Sequence, residues 1–334
     1  MNRLERRLAI LRGKRQGAFD PDQYHFERAR RTRIARAVRA RLRRLEPVAL
    51  VTPRWSQPER FLDDLASDLA VGEPSVACRT LDCRPLADRT RSQAKAWFVE
   101  ALTEFCGLTI DGPAWQAVAR LGFRTVVRSL LARADATGER RCLMVHGVEH
   151  APADAVRDLV EAFDEHVRDA GTSRCFDLLV AGAGSVPRFA GHEPVVLHDF
   201  AEAEAVEVLV EHLGPLEPHR LRSVVALVGG VPAILDALGA GPESRLTELV
   251  QDRDAVWRVI GRLAAEIRGA FAQVAADGVL RQRFERIAQD GPVPEEPERD
   301  DRLLRAGFVD VDRTIRGRMS QLRAPVFADL AFAG

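Results

Sequence analysis

The sequence predicts an α/β protein. Its first part builds a five-stranded, mostly parallel sheet with helices on both faces, and a helical region and a small closing domain follow. Three observations predict this. Five short apolar runs alternate with amphipathic stretches up to Asp199, strand signals then stop, and a hairpin pattern returns only near the end. Strands alternating with helices imply crossover connections, and these favour a parallel sheet covered on both sides. A hydrophobic content of 46% can fill such a core, and a chain of 334 residues suits about two domains.

The elements follow in order. Residues 27–45 have Ile34, Val38, Leu42 and Leu45 on one stripe and arginines on the other faces, which predicts an amphipathic helix. "PVALVT" (47–52) has strand composition, and Phe61, Leu62, Leu65 and Leu69 then recur at helical spacing. "SVACRTLD" (75–82) is the second strand, followed by helices over 90–106 and 113–133. "CLMV" (142–145) is the third strand, and Val156, Leu159, Val160, Phe163 and Val167 mark the next helix. "FDLLVAG" (176–182) and "PVVLH" (194–198) complete the five.

Residues 201–288 read as successive helices. "QDGPVPEEPERDD" (289–301) carries three prolines and six acids, which predicts a linker or exposed loop. The final stretch predicts a helix, a hairpin and a short closing helix; too short to fold alone, it completes a domain begun by the helices from about 245.

Composition narrows the function classes. Apolar runs are too short for a bilayer span of about 20 residues, and the arginine-rich start lacks the apolar core of a secretory signal. Cys78, Cys83, Cys106, Cys142 and Cys175 are odd in number and form no C-x-x-C pair, so free thiols in a reducing cytoplasm are expected. Net charge is zero, yet residues 1–45 carry 15 Lys or Arg against 4 Asp or Glu. Arg28, Arg30, Arg31, Arg33, Arg36, Arg39, Arg41, Arg43 and Arg44 crowd the predicted helix. Such a face suits a nucleic-acid backbone or an acidic protein surface, and the residues leave both open.

Two motifs compete for attention. His146-Gly147-Val148-Glu149-His150 matches the H-x-x-E-H zinc-peptidase pattern. Two histidines four apart share a metal only on one helix face, whereas these follow an apolar strand, flank a glycine and precede Pro152. "VAGAGSVPRF" (180–189) has Gly182 and Gly184 after a strand, with Asp199 further on, but Pro187 and Gly191 interrupt the crossover helix that a dinucleotide site needs.

The layout resembles the AAA+ ATPases, in the branch shared by origin-recognition and STAND signalling ATPases. "LHDFAEAEAVEVLVEHLG" (197–214) resembles the start of the lid. "VVALVGGVPAILDALGA" (224–240) resembles its G-x-P helix pair through Gly230 and Pro232, and "LLRAGFVDVD…LRAPVFADLA" resembles the closing part of a winged helix. The resemblance implies a P-loop-NTPase-like sheet, a helical lid and a C-terminal winged-helix-like domain. Bounds follow from it: a basic tail over 1–20, the α/β domain over 21–199, the lid over 200–243, and the winged-helix-like domain over 244–334 with its acidic loop at 289–301.

The departures carry the functional expectation. Laid over the family's G-x-x-x-x-G-K-[ST] loop, Thr52, Trp55 and Gln57 replace glycines, Pro58 replaces the lysine and Glu59 the magnesium-binding hydroxyl, with Arg54 and Ser56 between. Glycines let backbone N–H groups turn toward phosphates; an indole crowds that approach, and a proline removes both donor and cation. Ser56 and Glu59 instead fit an S-x-x-E capping box. At the third strand His146 and Gly147 replace the two acids that hold metal and polarise water, and Glu149 survives two residues on. Gly13-Lys14 precedes the sheet and cannot substitute.

Three functions of different class stay open. The first is an inactive AAA+-like scaffold or adaptor with no cofactor, paired with an active ATPase relative or an effector. DNA is its candidate polyanion, met through the basic helix and the winged helix. The second is a nucleotide-regulated switch that holds ATP or ADP weakly. The third is a zinc hydrolase using His146, Glu149 and His150.

Overall fold

The computed structural model describes residues 31–71, 75–109, 113–171, 174–183, 186–213, 218–240, 253–314 and 317–332. The expected tail 1–20, Arg28 and Arg30 lie outside the described residues. The chain divides into two compact units. One comprises 34–52 and 58–197; the other comprises 53–57 and 198–334, with the first turn of the basic helix.

The first unit holds α1 (Arg31–Arg43), β1 (Val48–Val51), α2 (Pro58–Val71), β2 (Ala77–Asp82), α3 (Arg91–Phe105), α4 (Ala114–Leu121), α5 (Phe123–Asp135), β3 (Arg141–His146), α6 (Ala153–Ala170), β4 (Phe176–Gly182) and β5 (Val195–Val196). The strands lie in the order β2-β3-β4-β1-β5, and every pairing is parallel. Alternation sorts their side chains to two faces. Val48, Leu50, Cys142, Met144, Leu179 and Ala181 pack with α1 and α2, while Ala49, Leu143, Val145, Leu178 and Val180 pack with α3 to α6.

One expected helix is two. Residues 113–133 break at Gly122, whose φ of +82° is open to glycine and costly to other residues, so α4 ends there and α5 starts afresh. The last strand is also shorter than "PVVLH" suggests: Val195 and Val196 pair in register with β1, and Leu197 N–H makes one further bond to Val51 O at 2.8 Å.

The second unit contains α7 (Glu202–Leu213), α8 (Pro218–Val228), α9 (Pro232–Gly239), α10 (Arg253–Val259), α11 (Arg262–Ala275), α12 (Gly278–Asp290), β6 (Val293–Pro294), α13 (Pro297–Arg305), β7 (Val309–Thr314), β8 (Gly317–Leu322) and α14 (Ala328–Phe332). β6, β8 and β7 form an antiparallel sheet in that order. Phe284, Phe308, Phe327, Ile267 and Leu303 centre its core.

The expected exposed loop 289–301 is corrected by this unit. It contains the end of α12, β6 and half of α13, with Pro297 at the first helical position, where its missing N–H costs nothing. Asp300 is fully buried: Arg283 donates to it from Nε and Nη2, both at 2.8 Å, and Ser320 Oγ donates at 2.6 Å. The guanidinium matches the buried charge, so this acid belongs to the core.

Candidate functional site

In an open parallel sheet, ligands bind beyond the carboxyl ends of the strands. In the first unit that edge gathers Thr52, Asp82, His146, Gly147, Glu149 and Gly182. Thr52 is buried and donates its N–H to Gly182 O at 2.9 Å, which carries the β1–β4 pairing one step further. Pro58 opens α2 and Glu59 sits in its first turn, where the helix dipole favours an acid.

The charges at this edge satisfy one another. Asp82 accepts Arg84 N at 2.9 Å and Arg84 Nε at 2.7 Å. Burial opposes its charge, but these bonds and the nearby His146 hold the carboxyl below its usual range. Glu59 Oε1 stands 3.8 Å from the same guanidinium.

His146 ends β3 with its side chain buried, and its carbonyl accepts Cys83 N–H at 2.9 Å. Gly147 follows in the left-handed region at φ +66°, a conformation that disfavours a side chain. Glu149 accepts Ala183 N–H at 3.0 Å, tying the turn after β3 to the end of β4. Close approach explains Gly182, since a β-carbon there would fall 2.6 Å from Val148 and 2.8 Å from Glu149.

His150 lies on a short 3-10 turn, 3.8 Å from Glu149. His146 and His150 therefore share no helix face. Among the described residues no group of three or more His, Cys, Asp or Glu is placed to hold a metal ion. The zinc-hydrolase reading finds no support in this geometry.

The loop after β1 is built differently from the capping box the sequence suggests. Trp55 and Gln57 both have positive φ, +65° and +49°. Ser56 is completely buried and its Oγ has no hydrogen-bond partner, so it caps nothing. The backbone is instead gripped by the second unit, to which 53–57 belongs. Arg323 Nη1 donates to Arg54 O at 2.6 Å, Ala233 N–H to Trp55 O at 3.1 Å, and Arg31 Nη2 to Ser56 O. Gln57 Nε2 donates to Asp236 Oδ2 at 2.7 Å. Of the backbone nitrogens over 52–58, Pro53 and Pro58 carry no hydrogen, Thr52 serves Gly182, and Ser56 serves Pro53 O.

Trp55 is an aromatic plug. Its ring centroid lies 5.4 Å from Phe308 at 72° and 5.9 Å from Phe327 at 55°. Arg323 and Asp199 form a buried pair beside it, Nε to Oδ2 at 2.8 Å, and Arg323 Nη1 also reaches Gly307 O at 3.0 Å. Asp199 thus serves an ion pair, not the ribose of a dinucleotide. The glycines of "VGGVP" are steric: a β-carbon on Gly230 would stand 1.9 Å from Phe200 O, and one on Gly229 2.3 Å from Arg323 O. Pro232 begins α9 at a first-turn position.

The basic helix is also sorted. Arg31 is buried; besides Ser56 O it reaches His198 O at 3.1 Å and stacks 4.6 Å over the Phe200 ring. It therefore leaves the polyanion set. Arg39 pairs with Asp68 at 3.2 Å, Arg41 donates to Glu193 O at 3.2 Å, and Arg44 pairs with Glu46 at 2.8 Å. Arg43 is half-buried and its Nε finds no acceptor, whereas Arg33 and Arg36 are exposed. Sequence reasoning missed Arg323, Asp236 and Arg31 as clamps of the loop, because each partner lies far away in the chain.

No family model matches the sequence, and no curated protein does. Solved structures do match. A Walker-type ATPase of Pyrococcus abyssi superposes with a TM-score of 0.60 over 90% of this chain and 95% of that one, at 13% identity. The chain has the P-loop ATPase fold. Two further matches are the ORC2 protein of Aeropyrum pernix (TM-score 0.43, 12% identity, 91% and 93% covered) and Cdc6p of Pyrobaculum aerophilum (0.45, 10%, 92% and 94%). In the strand order β2-β3-β4-β1-β5, residues 52–59 follow β1 and His146-Gly147 stands at the end of β3. No described helix is long and apolar enough to cross a membrane.

Proposed function

We propose that this chain is a P-loop ATPase fold without the ATPase: a scaffold or adaptor that keeps the architecture and neither requires nor hydrolyses a nucleotide. One observation carries the proposal. The carbonyls of Arg54, Trp55 and Ser56 each accept a donor from the second unit, and the Trp55 indole packs among that unit's aromatics. A phosphate loop works by presenting several adjacent N–H groups to an anion; here prolines and internal bonds remove four of the seven over 52–58. The substitution of lysine by Pro58 and of the metal-side acids by His146 and Gly147 supports the same conclusion.

The remaining parts fit a platform. We read 200–243 as the lid and 244–334 as a winged-helix-like domain, supported by α11, α12, α13 and the β7–β8 hairpin. Exposed Arg33 and Arg36, with Arg28 and Arg30 before them in the sequence, support DNA contact by α1. A protein partner, an active relative or an effector, is supported by Trp115. It is 59% exposed on α4 beside a groove of about 380 Å³ lined by Pro85, Leu86 and Trp97, and buried aromatic anchors dominate interface energetics.

Titration calorimetry with ATP and ADP, with and without magnesium, tests the proposal on the full chain. The expected result is no saturable heat and no phosphate release. Saturable magnesium-dependent binding without turnover would favour the nucleotide-regulated switch, and turnover would defeat both.

A further inference from the structure

We propose that Cys78 and Cys142 form a reversible disulfide when the protein meets a peroxide, making this pair an oxidative modification site at the edge of the sheet. The two residues are register partners on the parallel strands β2 and β3. Neighbouring strands run about 4.8 Å apart, inside the range of Cα separations, about 4.4–6.8 Å, that a disulfide spans. Both side chains belong to the face packed by α1 and α2, so they point the same way. Both thiols are free, and Cys78 Sγ donates only to Val76 O, at 3.6 Å, among the bonds of the described residues.

The two cysteines divide the chemistry. Cys78 is half-buried on β2, an edge strand of the sheet, and the neighbouring Cys142 thiol lowers its pKa. The thiolate is the reactive form of cysteine. Cys142 is fully buried; the neighbouring Cys78 and its own burial push its thiol up, and burial protects it from solvent oxidants. Burial likewise pushes Cys83 up to about 12 and Cys106 up to about 11.

The steps balance. The Cys78 thiolate attacks one peroxide oxygen, the O–O bond breaks, and the hydroxide released takes the proton Cys78 had given up, leaving Cys78 as a sulfenic acid. The Cys142 sulfur then attacks the Cys78 sulfur. The S–O bond breaks, and the departing hydroxide leaves as water with the Cys142 proton. Two thiols lose two electrons and one hydrogen peroxide becomes two waters. A thiol reductant reverses the bond by exchange.

The test is peptide mapping without reduction of the folded full chain after brief exposure to hydrogen peroxide. The expected product is a single cross-linked pair of peptides containing Cys78 and Cys142, lighter by two hydrogens, and lost on adding dithiothreitol. Cys78→Ser should abolish the link and leave Cys142 unmodified, with the circular dichroism of the parent. Oxidation that stops at sulfenic or sulfinic acid on Cys78 while Cys142 stays free would overturn the proposal. So would a link that forms only after denaturation.

Discussion

The indole of Trp55 stands against the bare α-carbon of Gly307. A β-carbon built there would meet two ring atoms at 2.8 Å, and the Gly307 backbone has φ +91°. Position 55 in the loop and position 307 before β7 are therefore fitted to one another.

Gly307→Ala consequently combines overpacking with a strained backbone and should cost about 3 kcal/mol. Trp55→Ala should cost a similar amount, about 3 kcal/mol, by emptying the space between Phe308 and Phe327. Urea unfolding followed by circular dichroism reads both. On the proposed function the second variant should also show no ATP binding; a Trp55→Ala protein with magnesium-dependent nucleotide binding that the parent lacks would mean the indole was the obstacle.

Arg323 should be among the costliest single charges to remove. It is buried against Asp199 and also holds the carbonyls of Arg54 and Gly307. Arg323→Met leaves a buried acid without its cation, an effect of about 3–5 kcal/mol. Asp199→Leu added to it should recover only part of that loss, because the two carbonyls stay without their donor. Full recovery in the double variant would show that those bonds contribute little.

Stability should decline between mildly acidic and mildly basic pH through Asp177. It is wholly buried on β4, one oxygen accepts Leu178 N–H at 2.8 Å, and the other has no partner. Burial pushes its pKa up to about 8. The folded state thus keeps a proton that the unfolded chain gives up near the ordinary carboxylate pKa of about 3.9. Its stabilising contribution is complete below about pH 4 and is lost as pH rises toward about 8. Asp177→Asn should flatten this slope in urea midpoints taken from pH 5 to 9 (roughly the range where other carboxylates stay ionised). An unchanged slope would assign the pH dependence elsewhere.

The arginines of α1 should separate into two kinds. Arg33→Gln with Arg36→Gln should leave stability within about 0.5 kcal/mol and, if DNA is the partner, reduce the salt slope of binding by roughly two units. Arg31→Gln should instead lower stability by about 2–3 kcal/mol through its lost bonds to His198 O and Ser56 O. Salt-independent binding, or none, would leave α1 to a protein surface.

Much of the fold was legible because local chemistry agreed with its global role. The runs at 47–52, 75–82, 142–145 and 176–182 are β-rich and bounded by turn residues, and each lies in the parallel sheet. Where the sequence misled, the deciding partner was distant. Asp300 read as solvated because nothing local shows Arg283 and Ser320 closing on it. Ser56 read as a cap because its spacing to Glu59 was right, yet Gln57 at φ +49° turns the chain away from that geometry. Gly122 was a visible signal for the break between α4 and α5, and length alone hid it. At the candidate site the residues of 52–59 and 146–149 were readable one by one. That their backbone serves Arg323, Arg31 and Ala233 required three-dimensional proximity.

The tethering of that loop limits how its sequence can change. Trp55→Gly would strip the aromatic cluster, and Pro58→Lys would put a cation at a helix start. Because 53–57 folds into the carboxyl-terminal unit, sequence change in this loop is constrained by that unit's core and not by the strand it follows.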